Sequence, residues 1–510
     1  MELATWIGQL QTRLNRRSNM LYRLPVIGGL FLLSVFLAVR VSRKRLPLDD
    51  LVRDPLVLMI PALAGVMLLL FRPQLGLLAL IAGSLVVPFK IGTGTGTSIN
   101  SAVLLVGVLS GLWLFRMIAH DRQITIVRSR PILPVIVLVI SAFVSFAIGQ
   151  LPWSFFAQQA SIPAQLGGLG MYLFSALAFL LAANTIQEMK WLQRMCWLFM
   201  AIGAVYLLFQ YIPPLRNIEV VQDAVTRGSM FWIWLAALPL SQAIYNDDLD
   251  IRWRLALVGL TAAAFGITLG RSLGWTSGWL PAAAAVMVIV VAGRTRLSLW
   301  LTLLMIPVVI FLGLEKINSL IFVGDNEYSL ITRVEAWRIV LEIVKDNWVF
   351  GLGPSNYYWY TSLYPILGYF VNFNSHNNYI DLIAQTGVVG LLAFLWFAFE
   401  IGRLTWNLLD RVPQGFMRAY MIGALGGLAG MLVAGMFGDW VIPFVYNVGY
   451  EGFRASVLGW IFLGSVVALE QIVLRENPAP SSTQVVDAQM EGNYGDAGTA
   501  VPAGAEDGAS

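Results

Sequence analysis

Thiols, imidazoles and charges are scarce in this chain, and each scarcity closes off a class of function. The 510 residues include a single cysteine, Cys196, so no internal disulfide can form. Its apolar neighbours Trp197, Leu198 and Phe199 mark it as a small buried filler. There are two histidines, His120 and His376, and no outward cluster of histidine, cysteine or carboxylate at ligand spacing, so no metal is expected. No Walker loop or dinucleotide fingerprint occurs, and no soluble domain stands ready for a nucleotide, so no cofactor is expected. Charged residues make up 12% of the chain, against roughly a quarter in soluble domains.

What is present instead is apolar. Hydrophobic residues reach 58%, and a mean hydropathy of +0.72 is that of an integral membrane protein. The 18 tryptophans suit interfacial belts. The net charge of +4 is scattered through loops. It reads as a topology signal and not as a nucleic-acid footprint, so membrane lipids are expected partners and nucleic acid is not.

At roughly 20 apolar residues per crossing, candidate spans fall at 24–39, 55–71, 75–89, 99–118, 131–150, 168–184, 191–211, 229–245, 255–270, 274–292, 297–313, 379–401, 419–437 and 455–473. The expectation is an all-α, polytopic membrane protein of about 12–14 transmembrane helices. Basic residues set its orientation. Arg122, Arg128 and Arg130 lie in loop 119–130, Arg294 and Arg296 in loop 293–296, and Arg403, Arg411 and Arg418 in loop 402–418. These three loops are therefore predicted to be cytoplasmic. The segment 314–378 then forms one large extracytoplasmic loop domain, between a helical region at 55–313 and C-terminal helices at 379–474.

Residues 1–54 form a basic N-terminal segment. Arg13, Arg16, Arg17 and Arg23 precede its apolar run, Arg40, Arg43, Lys44 and Arg45 follow it, and no small-residue cleavage site intervenes, so a cleaved signal is not expected. The basic 40–54 loop falls on the outer side if both early runs cross. Either 24–39 lies in the interface or re-enters, or an early boundary differs. The stretch 475–510 is rich in Pro, Ala, Gly and Ser and reads as a disordered cytoplasmic tail.

The outer loop carries the chemistry-bearing residues. Val334, Trp337, Leu341, Val344 and Trp348 repeat at three and four, one face of an amphipathic helix that would lie on the membrane surface. Glu335, Arg338, Glu342, Lys345 and Asp346 take the other face, with Arg338 and Glu342 spaced to pair. Arg333 has no acidic residue four positions on and is freer to bind a ligand. Gly351, Gly353 and Pro354 mark a turn where backbone can approach a ligand. Asn374 and Ser375 are suitable N-caps just before His376, at the start of a helix that enters the membrane from outside. A helix start of this kind favours an anion such as phosphate. Gly387 and Gly390 read as close helix packing. Arg271, in Gly270-Arg271-Ser272, sits at an outward junction with no carboxylate nearby in sequence. Such a residue either snorkels or grips a phosphate.

Three places together resemble the O-antigen ligase and polymerase family of bacterial membrane glycosyltransferases. They are Gly270-Arg271-Ser272; Arg333-x-x-x-Trp337 followed by Phe350 to Tyr357; and His376-Asn377, nine residues, then Gly387-Val388-Val389-Gly390. The resemblance covers about 265–400. Position 270 is Gly where Ser is frequent, and Gln385 stands where Glu is frequent.

The resemblance implies a GT-C type helical fold in the inner membrane. It implies transfer of a glycan from an undecaprenyl-diphosphate-linked donor to the hydroxyl of a glycan or lipid-linked acceptor on the outer face, without metal. Arg271 and Arg333 would stabilise the diphosphate leaving group, and His376 would act either as base or as phosphate ligand. Arg338, Asn356, Tyr357 and Asn377 are the expected substrate-binding residues around them. A surface polysaccharide polymerase shares these motifs. A transporter or flippase of lipid-linked glycan is the reading from another class, against which spans 274–292 and 419–437 carry no charge.

Overall fold

The computed structural model describes residues 72–92, 98–153, 155–271, 276–293 and 325–476, together with Leu69 and Leu299. Apart from those two residues, the predicted spans 24–39, 55–71 and 297–313 lie outside the described residues, as do segment 1–54 and the tail from 477.

The described chain is all-α apart from one small ribbon. Its helices are α1 (Pro73–Val86), α2 (Ser101–Phe115), α3 (Ile132–Ile148), α4 (Ile162–Thr185), α5 (Met189–Tyr211), α6 (Ser229–Tyr245), α7 (Ile251–Arg271), α8 (Thr276–Ala292), α9 (Asp325–Val344), α10 (Asn378–Leu408), α11 (Phe416–Phe437) and α12 (Gly449–Glu476). Strands β1 (Lys90–Gly92) and β2 (Ser98–Asn100) pair antiparallel between α1 and α2. Seven of these helices are long and apolar enough to cross a membrane, and α1, α3, α6 and α8 are shorter apolar helices. The molecule is thus an all-α polytopic membrane protein. Prolines at the first turns of α1 and α4 and the Asn100 cap on α2 set several of the starts.

Helices α6 and α12 form the centre and are buried along almost their whole length. Helix α12 packs on α4, α11 packs on α6 and α8, and α10 packs on α3 and α11. Small residues on α11 permit its close approach: a side chain at Gly423 or Gly430 would meet α6, and one at Gly426 would meet α8. One arginine is wholly inside. Arg454 of α12 donates to the carbonyls of Ser84 (2.8 Å) and Val87 (2.9 Å) at the C-terminal end of α1, a structural use of a buried cation.

Two of the basic loops come together at one end. Arg130, Arg403 and Arg411 line a common cavity there, with Glu400 and Glu470. The start of α10 and the end of α11 lie at the opposite end, joined through Asn378, which binds the backbone of Val441 and Ile442.

Helix α10 is broken. Gly387 has φ 68° and ψ −172°, a conformation essentially reserved for glycine. The expectation of simple helix packing at Gly387 is therefore corrected. The break opens the helix backbone to the preceding loop: Val388 N donates to Trp348 O (2.8 Å) and Leu352 N to Ala384 O (2.9 Å). A side chain on Gly387 would overlap the Val349 carbonyl. The part of α10 after the break is about 21 residues and so spans about 31 Å, the thickness of a bilayer core. The first turns, Asn378 to Thr386, precede the break.

Helix α9 forms where predicted, but a second apolar stripe does its packing. Ala336, Ile339, Val340, Ile343 and Val344 are buried against Leu352, Tyr357, Tyr360 and Ile366, while Val334, Leu341 and Trp348 of the predicted face are exposed. The helix has apolar residues on both sides, so periodicity alone could not choose the protein-facing one.

Candidate functional site

Three segments meet at the end of the bundle where α10 begins: the second half of α9, the loop Asn374–Asn377, and the connection 438–448 between α11 and α12. His376 sits at their junction with an open side to solvent. Its φ of +49° is unusual for a residue with a Cβ, and its neighbours hold it there. Trp337 of α9 donates its indole N–H to Ser375 O (2.8 Å). Ser375 donates its hydroxyl to Asp381 Oδ1 (2.7 Å), and its backbone N–H goes to the Tyr357 phenol oxygen (3.2 Å). Asn377 caps α10 by accepting from Tyr379 N (2.9 Å) and Ile380 N (3.4 Å).

Arg333 reaches the site from α9. Its Nη1 donates to the carbonyl of Phe437 (3.3 Å), the last residue of α11, where a cation is favoured by the helix end. Burial lowers its pKa from the ordinary arginine value. Protein around the His376 ring, and then the Arg333 charge, hold the imidazole down at about 4. His376 is therefore neutral at physiological pH, with the Arg333 charge near it.

The third segment supplies two residues that sequence analysis missed. Asp439 is fully buried. Its Oδ2 accepts from Phe444 N (2.8 Å) and its Oδ1 from the Asn447 amide (2.6 Å). Burial raises its pKa above the ordinary carboxylate value, and these donors offset only part of the rise. The same Asn447 Nδ2 lies 3.4 Å from His376 Nδ1. The signal available in sequence was Asp439 itself, a lone carboxylate two positions after the predicted apolar span 419–437.

The predicted site residues separate into groups. Arg333 and His376 are brought together. Arg271 is the last residue of α7. The next helix, α8, opens beside Ser229 at the start of α6, and Gly228 there approaches Trp440, next to Asp439. Its backbone is therefore at this end of the bundle. Asn356 is buried, donating to Leu352 O (2.8 Å) and Gly149 O (3.2 Å) and accepting from Ala160 N (3.1 Å). Tyr357 is also buried, stacked on Phe444 at 5.0 Å and bonded to Asp381. These two side chains, and the Asn377 cap, are committed to holding the loop and have no surface to offer a substrate. Arg338 is exposed and pairs with Glu335 (2.7 Å), while Glu342 pairs with Lys345; the expected Arg338–Glu342 pair is not formed. Cys196 is buried, as expected of a filler. Among the described residues no group of three or more potential ligands could hold a metal.

Residues 256–395 match the family model described as O-antigen ligase. The chain carries an O-antigen ligase family domain. The matched stretch of this O-antigen ligase domain includes Arg271, Arg333 and His376 and ends within α10. Asp439 and Asn447 come from beyond it, so the site is completed by a part of the chain that the match does not cover. No curated protein matches the chain. The matched stretch indicates glycan transfer of the ligase or polymerase type.

Proposed function

We propose that this protein transfers a glycan from an undecaprenyl-diphosphate-linked donor to an acceptor hydroxyl at the outer face of the inner membrane. The observation that carries the reading is Arg333 brought beside a neutral, solvent-open His376. In the reaction, a bond forms between the acceptor oxygen and the anomeric carbon, and the bond from that carbon to the diphosphate breaks. The electron pair moves onto the diphosphate, so negative charge grows there, with Arg333 as the cation to meet it and Arg271, whose backbone ends α7 at this end of the bundle, as the second candidate. No metal is required for that stabilisation. The break at Gly387 leaves about 21 residues of α10 to cross the bilayer, which supports a reading of His376 at the membrane surface, where a lipid diphosphate also lies. Asn356, Tyr357 and Asn377 serve by holding the loop.

The test is reconstitution of the purified protein with lipid-diphosphate glycan and candidate acceptors, glycan and lipid-linked. Transfer should be seen with wild type and lost in His376→Ala, Arg333→Ala and Arg271→Ala. Wild-type rates in all three variants would remove the site from consideration. Movement of donor across vesicles without product would favour a flippase.

A further inference from the structure

His376 can serve as a base only if its outward nitrogen lacks a proton, and the hydrogen bonds behind it bear on that. Asn447 is held by Asp439: both carboxylate oxygens accept, Oδ2 from a backbone N–H that can only donate, and Oδ1 from the Asn447 amide at 2.6 Å. A flipped Asn447 would set its carbonyl oxygen against that carboxylate oxygen. The amide nitrogen is thus fixed, which leaves its second hydrogen for His376 Nδ1, 3.4 Å from that nitrogen. Nδ1 must then be the acceptor. In a neutral imidazole the proton consequently resides on Nε2.

We infer that Asp439 and Asn447 are positioning residues that fix His376 as the Nε2–H tautomer, making it a hydrogen-bond donor to the departing diphosphate and not a base toward the acceptor. The inference rests on the glycan-transfer reading for what Nε2 meets, but not for the tautomer itself. With Nε2 occupied, the acceptor's proton passes to the departing diphosphate oxygen as the new glycosidic bond forms, so the transfer balances without a protein base. The charged and titratable groups facing the ring are Arg333 from α9 and Asp439 behind Asn447, with Asp381 beneath the loop through Ser375.

Only two histidines occur in the chain, so His120→Gln leaves one imidazole signal. Nitrogen NMR of the histidine-labelled full-length protein in lipid nanodiscs at pH 7 reads the tautomer without any substrate. The expected result is a protonated Nε2 and an acceptor Nδ1 in wild type, a mixture of tautomers in Asn447→Ala, and a protonated Nδ1 in Asn447→Asp. A protonated Nδ1 in wild type, or the same tautomer in all three proteins, overturns the inference even if glycan transfer is confirmed. Asn447 is exposed, so these variants are expected to fold; a correct near-neutral spectrum of the remaining protein checks that. A kinetic arm adds the chemistry. His376→Gln, whose amide can still donate, should keep at least tenfold more transfer activity than His376→Ala. Equal loss in both would return His376 to the role of base.

Discussion

Tyr357 donates its phenol proton to Asp381 at 2.5 Å, and the same oxygen accepts the Ser375 backbone N–H. One buried hydroxyl thus ties the outer segment to the first turn of α10 and fixes the residue before His376. Tyr357→Phe keeps the ring and its stacking on Phe444 but leaves a carboxylate oxygen short of a donor and an N–H without an acceptor. Each such buried group costs about 1–3 kcal/mol. Thermal inactivation in detergent should shift downward, and the His376 backbone should lose its order. A variant as stable as wild type would show that Asp381 is satisfied in some other way.

Gly387 is the second position where a single atom decides the structure. A Cβ there carries a backbone cost of about 1–3 kcal/mol. It also collides with the Val349 carbonyl, which flexible side-chain movement cannot relieve. Gly387→Ala should undock the loop 348–352 from α10, open it to proteolysis and lower the yield of folded protein. The control is Gly402→Ala on the same helix, where a Cβ meets Leu428 at an ordinary 3.5 Å and should be tolerated.

These two residues also mark what sequence can and cannot reveal. The helices were legible because each described span is a run of apolar residues bounded by Pro, Asn, Gly or charge; predicted 229–245 and observed Ser229–Tyr245 coincide. His376 and Arg333 were legible as ionisable residues in a chain that has few. Tyr357 and Asn356 were expected to face a substrate because the resemblance implies it and they follow a Gly-Pro turn where backbone can approach a ligand. That turn instead folds inward to pack between α3 and α10, a tertiary event that leaves no local trace. Gly387 read as a packing glycine because a positive φ is a property of the backbone and not of the residue type. Asp439 and Asn447 were missed because their partner lies more than sixty positions away in sequence.

The low pKa of His376 has a direct consequence for stability. An unfolded histidine takes up a proton near 6.5, whereas this one resists until about 4. As pH falls through that window the unfolded chain binds a proton that the folded chain does not, so stability is lost between pH 6.5 and 4 and is fully present above it. The inactivation temperature of wild type should drop between pH 7 and 5 by more than that of His376→Gln. Arg333→Met removes the second cause of the depression, so the imidazole midpoint read by NMR should rise toward, without reaching, its ordinary value. An unchanged midpoint would mean that the Arg333 guanidinium does not face the ring.

Arg333 and Arg338 lie on one helix, and sequence alone makes both of them candidates to bind the donor. Their surroundings separate them. Arg338 points to solvent and is neutralised by Glu335, an exposed pair of the kind that contributes little. Arg333 is half-buried, held by one long bond to the Phe437 carbonyl, and aimed at His376. A guanidinium with most of its donors uncommitted can regroup around a diphosphate as charge develops there. Arg333→Gln should therefore lower the transfer rate by about 10²–10³-fold, the scale for removing one donor that acts on growing charge. Arg333→Lys should recover only part of this loss, since an ammonium cannot bind two oxygens in one plane. Arg338→Gln should transfer at the wild-type rate. If the two Gln variants lose activity equally, the donor diphosphate lies along the outer surface of α9 and not in the recess between Arg333 and His376.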